Sequence, residues 1–145
     1  MKARERRVLN ELRKDSRASF TAIAANTGIP LSTVFKIAAK LERSNPVRYA
    51  CLVDFEKVGY PFRIGVFIRA DKRHEAIEFL QSSPSLNTLL RLSGDCGLYA
   101  ELLFKNMPVC QDFLEMLREV SGVRNASVHF LSVVKQEDFD ISLND

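Results

Sequence analysis

Residues 19–43, SFTAIAANTGIPLSTVFKIAAKLER, constrain the fold of this chain more than any other stretch. Phe20, Ile23 and Ala24 form one apolar face, and Val34, Ile37 and Leu41 recur at helical spacing to form another. Gly28 falls between them, where a tight turn needs the positive φ that glycine adopts without steric cost. Ser19 is placed to cap the first helix with its hydroxyl, and Pro30 suits the first turn of the second, where its missing N–H is not needed. Two short amphipathic helices joined this way make a helix-turn-helix, an arrangement that points to DNA. The same spacing also suits a helical hairpin packed inside any small α domain, so the rest of the chain must decide.

With the apolar stripe turned inward, Leu31, Ser32, Thr33, Phe35, Lys36, Lys40 and Arg43 point elsewhere. Ser32 and Thr33, near the helix N-terminus, are candidates for base-edge contacts. Lys36, Lys40 and Arg43 are candidates for phosphate contacts that fix register. Phe35 either touches a thymine methyl or packs against a neighbour. Charge coincides with this stretch: residues 1–48 carry eleven Lys/Arg against four acids, net +7, whereas residues 49–145 are net −4. A basic third on an acidic remainder suggests that one part meets a polyanion and the other does something else.

At 145 residues, 46% hydrophobic and 27% charged, the chain suits one domain or two small ones with a real core. The charged start resembles no signal peptide, and no apolar run approaches the roughly 20 residues of a membrane span, so the expected location is cytoplasmic, with no membrane partner. Cys51, Cys96 and Cys110 are scattered without metal-ligand spacing, which fits reduced thiols buried mostly as small apolar groups. Of the two histidines, His74 opens a helix and His129 lies mid-strand, and neither is paired with a carboxylate or cysteine in sequence. No phosphate-binding glycine loop or metal cluster stands out, so neither an enzyme nor a cofactor is expected. Cys96 in a turn could act as a redox thiol, but a structural thiol fits better.

Residues 3–14 read as a first helix with Val8, Leu9 and Leu12 inward, and 31–43 as the third. Ser44-Asn45-Pro46 ends that helix, because proline biases the preceding residue to extended backbone. Residues 47–55 alternate loosely as a strand that wants a neighbour, and pairing with its own copy in a second subunit is one solution. KVGYP, 57–61, closes this linker. Beyond it come a strand at 62–70, a helix at 71–82, strands at 86–94 and 97–105, a helix at 108–120 and a strand at 127–135. The acidic tail 136–145 is either loose or a strand added to a neighbour. The order is βαββαβ, so the fold class is α+β. A three-helix helix-turn-helix domain (1–46) and a strand linker (47–61) lead to a ferredoxin-like domain (62–145) with two helices on one sheet face. The other face reads as fairly apolar and calls for cover by a second subunit, by default a symmetric dimer.

This combination resembles the Lrp/AsnC, or feast/famine, family of transcriptional regulators over nearly the whole chain. The residues that carry the resemblance are Val8-Leu9, Leu12, Asp15-Ser16-Arg17, Ile23-Ala24, Gly28-Ile29, Ser32-Thr33-Val34, Ile37, Leu41-Glu42, Ser93-Gly94-Asp95 and Gly122-Val123. The resemblance implies a second motif helix, about 31–43, that enters the major groove. It also implies dimers built through the tail sheets, assembling to tetramers or octamers. A small-molecule effector, commonly an amino acid, is implied near 93–97, which makes Ser93, Gly94, Asp95 and Gly97 effector-binding candidates. Three positions depart from the family pattern. Gly97 stands where an aspartate is common, Ser44-Asn45-Pro46-Val47 replaces a glycine-isoleucine turn, and Ala22 replaces an acidic capping partner.

The expected function is therefore sequence-specific regulation of transcription on double-stranded DNA by a homodimer, with a pseudo-palindromic site and half-sites about 34 Å or a multiple apart. The alternatives are an architectural DNA-coating protein with little sequence preference, and an effector-sensing assembly module.

Overall fold

Each side of the turn at Gly28 folds as its spacing dictates. The computed structural model describes residues 1–44, 47, 49–94 and 97–134. They divide into two compact units, one made of Met1–Leu52 with Val134 and the other spanning Val53–Val133.

In the first unit α1 is Ala3–Lys14, α2 is Phe20–Thr27 and α3 is Leu31–Ser44. The Ser19 hydroxyl accepts the Ala22 N–H at 3.1 Å, which caps α2. Gly28 takes φ +67° and donates its N–H to the Ala24 carbonyl, which ends it. The Pro30 carbonyl accepts the Thr33 and Val34 N–H groups and so starts α3 at once. The chain bends by 112° between α2 and α3, within the range of helix-turn-helix motifs. Val8, Leu12, Ile23, Ile29, Val34, Ile37 and Leu41 meet in one buried cluster, drawing a face from each helix.

In the second unit β1 (Phe62–Ala70), α4 (Arg73–Ser82), β2 (Leu86–Arg91), β3 (Leu98–Phe104), α5 (Met107–Glu119) and β4 (Val123–Phe130) follow in order. The sheet runs β2-β3-β1-β4 with antiparallel neighbours, the ferredoxin-like order. The Asn106 side chain caps α5 by accepting the Val109 N–H at 3.0 Å, with Pro108 in its first turn. Ile64, Val66 and Ile68 of β1 and Leu98, Ala100, Leu102 and Phe104 of β3 bury one sheet face against Ala76 and Leu80 of α4 and Cys110, Phe113 and Leu117 of α5.

Several expectations are corrected. The described residues of the 47–55 segment form no strand, because none of the described strands of the same chain pairs with them. β2 stops at Arg91, three residues early, where the chain turns into the β3 hairpin. β4 starts at Val123 instead of Ser127, because the turn is tighter than it reads. Val123 N–H bonds the Val120 carbonyl, Gly122 takes φ +85°, and pairing with Ala70 begins at Val123 across a register shift. β4 also ends at Phe130. Cys110 is buried as expected and burial pushes its thiol up, but Cys51 is exposed. The tail 136–145 and Cys96 lie outside the described residues.

Candidate nucleic-acid interface and hairpin site

Helix α3 buries Val34, Ile37, Ala38 and Leu41. At 100° per residue, the opposite stripe is Ser32, Lys36, Ala39 and Arg43. Ser32, Lys36 and Arg43 are exposed. The Arg43 Nε–H bonds the Ala39 carbonyl one turn back at 3.1 Å, which lays the guanidinium along the helix. Four of the six candidate contacts thus divide cleanly: Ser32, Lys36 and Arg43 share one outward ridge, and Phe35 flanks it. Phe35 is 60% exposed yet lies edge-on to Phe20 of α2 at 5.8 Å, so it packs on one side and faces solvent on the other.

Thr33 and Lys40 sit on the opposite flank, seven residues apart on one helix side. Thr33 is half-buried. The Lys40 ammonium donates to Glu5 of α1 at 2.6 Å. Glu5 is buried among the α1 residues and also accepts the Lys2 backbone N–H at 2.8 Å. Lys40, and after it the Lys2 N–H, hold the Glu5 carboxyl below its ordinary range. Lys40 therefore joins α3 to α1. Sequence reading missed this partner, although an acid inside the basic run RERR was a visible signal. A second tie of the same kind links α1 to α2: Asn26 Nδ2 donates to Glu11 at 2.8 Å, and with Lys14 it lowers the Glu11 carboxyl.

The hairpin between β2 and β3 is closed by the Leu92 N–H on the Gly97 carbonyl at 3.0 Å, and Gly97 N–H bonds Ile68 of β1 at 3.0 Å. Ser93 and Gly94 are exposed, Gly94 with φ +90°, whereas Gly97 is buried. Asp95 lies outside the described residues. A Cβ on Gly97 would stand 2.9 Å from Nε of Arg73, so the Arg73 side chain lies over this glycine.

The sheet face away from the helices is less apolar than it reads. Arg63 Nη2 donates to Glu101 at 2.9 Å and Asn87 donates to the other carboxylate oxygen. Arg63 and Glu101 side chains are only 16% and 10% exposed. Beside them Phe67 packs against Tyr99 at 5.1 Å and His129 at 5.7 Å. Tyr99 lies so close over Gly65 that a Cβ there would meet its ring at 2.9 Å. Burial, and next the Glu101 charge, push the Tyr99 phenol up.

Residues 1–45 match the winged helix-turn-helix DNA-binding family. The chain is 24% identical over 140 residues to an uncharacterised HTH-type transcriptional regulator of Pyrococcus horikoshii, a match covering 94% of this chain and 95% of that one. Its fold is that of the transcriptional regulator NMB0573 of Neisseria meningitidis, solved as an L-Met complex. The TM-score is 0.84 at 19% identity, over 94% of this chain and 93% of that one. An AsnC family transcriptional regulator of Agrobacterium tumefaciens superposes with a TM-score of 0.80 at 20% identity, over 94% of each chain. A capped helix-turn-helix with an exposed polar ridge in one unit, and a ferredoxin-like sheet in the other, thus converge with these likenesses: the chain is a DNA-binding transcriptional regulator of the helix-turn-helix class, built on the Lrp/AsnC fold.

Proposed function

We propose that the chain regulates transcription by sequence-specific binding as a two-fold dimer, with α3 in the major groove. The carrying observation is the outward ridge Ser32, Lys36 and Arg43 on a helix whose opposite side is fully committed to the core. Lys36 and Arg43 place phosphates, and Ser32 reads a base edge. Thr33 reaches a base edge only from the flank, and Lys40 contributes structure before charge.

The dimer forms through the open sheet face. Phe67 and Leu90 are exposed there beside an ion pair that is already desolvated, a combination that favours apolar cover. Tetramers or octamers follow from further tail contacts. The effector is a small molecule with a carboxylate, such as an amino acid, held at the 93–97 hairpin. Arg73 over Gly97 supports this, since it offers a cation where the related pattern has an acid.

Footprinting on a bound promoter, with the mass in solution measured alongside, tests the reading. Two protected half-sites about 34 Å apart, or a multiple, with a dimer or larger assembly, are expected. Uniform protection along the DNA would instead favour the architectural reading, which the net +7 of residues 1–48 supports.

A further inference from the structure

On the helical side of the second unit, a cavity of about 390 Å³ opens between the C-terminal end of α4, the 82–85 turn and α5. It lies at the start of β2 and the end of β3, and the 93–97 hairpin joins the other ends of those strands. Its floor is aromatic: Phe113 packs against Phe79 and Phe104, each at 5.5 Å between ring centres. Its walls include Val109 and Met116, both about half exposed although each is a large apolar side chain on α5. That volume falls in the range of small-molecule sites, which are mostly apolar with a few polar groups that orient the ligand. Methionine at the wall adapts to ligands of different shape.

The polar groups at the rim fix the ligand's charge. Among the described residues, Asp112 is the only charged one lining the cavity. Ser82 spends its hydroxyl proton on the Phe79 carbonyl at 2.7 Å, which leaves its oxygen an acceptor. The Ser83 hydroxyl already accepts the Ser85 N–H at 3.2 Å. Among the described residues, no cationic side chain lines the cavity to meet a carboxylate. The Asp112 carboxylate and the Ser82 oxygen, over an aromatic floor, match a donor-only head on an apolar body.

We propose that this cavity is a second ligand site, distinct from the hairpin, that takes a small apolar or aromatic primary amine in its ammonium form. The apolar body fills the space over Phe104 and Phe113, and the ammonium group meets Asp112 and the Ser82 oxygen. A free amino acid is disfavoured, because its carboxylate would sit beside Asp112 with no cation to receive it.

The test is methyl NMR on the full-length protein, with 2-phenylethylamine as probe and phenylacetate and L-phenylalanine for comparison. Saturable shifts of the Val109 and Met116 methyls are expected with the amine at low-millimolar Kd, and much weaker ones with the two carboxylates. Asp112→Asn should weaken amine binding about two- to fivefold, the scale of a solvent-exposed charge pair, with the melting temperature unchanged. Val109→Trp, at an exposed position that tolerates bulk, should fill the cavity and abolish the Met116 shift. The proposal is overturned by the absence of saturable shifts, by equal binding of phenylacetate, or by an Asp112→Asn variant that binds the amine undiminished. Methyl shifts that follow protein concentration without ligand would also overturn it, because a second copy would then cover the cavity. None of these readouts depends on DNA.

Discussion

Lys36 and Lys40 lie four residues apart on α3, carry the same charge and look equivalent in sequence. The structure separates them. Lys36 stands on the outward ridge, and Lys40 has its ammonium 2.6 Å from Glu5 of α1. If Lys36 neutralises a phosphate, Lys36→Ala removes one released counterion per protomer, and each contributes a slope of about 0.9 in log K against log salt. In a two-fold dimer the slope therefore flattens by about 1.8. Over the fourfold range from about 50 to 200 mM salt, the wild type should lose about twelvefold more affinity than the variant. Lys40→Ala should leave the slope near the wild-type value and instead lower the melting temperature, because Glu5 loses its cation. Fluorescence anisotropy on one duplex at four salt concentrations, with circular dichroism to confirm folding, supplies both readouts. Equal flattening in the two variants would refute the division between ridge and flank. An unchanged slope in Lys36→Ala would remove the residue from the interface.

Other outcomes follow from single contacts. Gly28→Ala should cost about 1–2 kcal/mol, the penalty of left-handed backbone, since nothing lies within 4 Å of the new methyl. Gly122→Ala should cost more, because its Cβ would also stand 2.9 Å from the Lys72 backbone nitrogen; chemical denaturation ranks the two. Arg63→Ala strands the Glu101 carboxylate at the centre of the open face and should destabilise the second unit by about 3 kcal/mol, measured by urea unfolding. Glu5 and Glu11 titrate below their ordinary value of 4.5, so they stabilise the folded chain above that value and lose this contribution as the pH falls through and below it. Thermal melts should thus fall below about pH 4.5, and the fall should be shallower in Glu11→Gln.

Legibility in the sequence tracked the range of the forces involved. α1, α2, α3 and β1 were readable to within a residue or so because caps, glycine φ and apolar period are local: Ser19, Gly28 and Pro30 do what their chemistry requires. β4 was misplaced because its start depends on the turn at Gly122 and on pairing with Ala70, more than fifty residues away. The described residues of the 47–55 segment have strand composition without a strand, since a ladder needs a partner that the described strands of the single chain do not supply. Among the contact candidates, the outward direction of Ser32, Lys36 and Arg43 followed from helical period alone. The engagement of Lys40 did not, because Glu5 lies thirty-five residues away. The Arg63–Glu101–Asn87 cluster escaped for the same reason: three strands bring it together.

Specific recognition through the α3 ridge stands or falls on one ratio of affinities. Duplexes selected from a random pool by the full-length protein are compared with shuffled duplexes of equal length, at a single near-physiological salt concentration. The selected sequence should bind about a thousandfold tighter or more, and Ser32→Ala should lower the ratio while leaving shuffled-DNA affinity unchanged. Equal affinity for selected and shuffled DNA would contradict it and establish a sequence-indifferent, charge-driven binder.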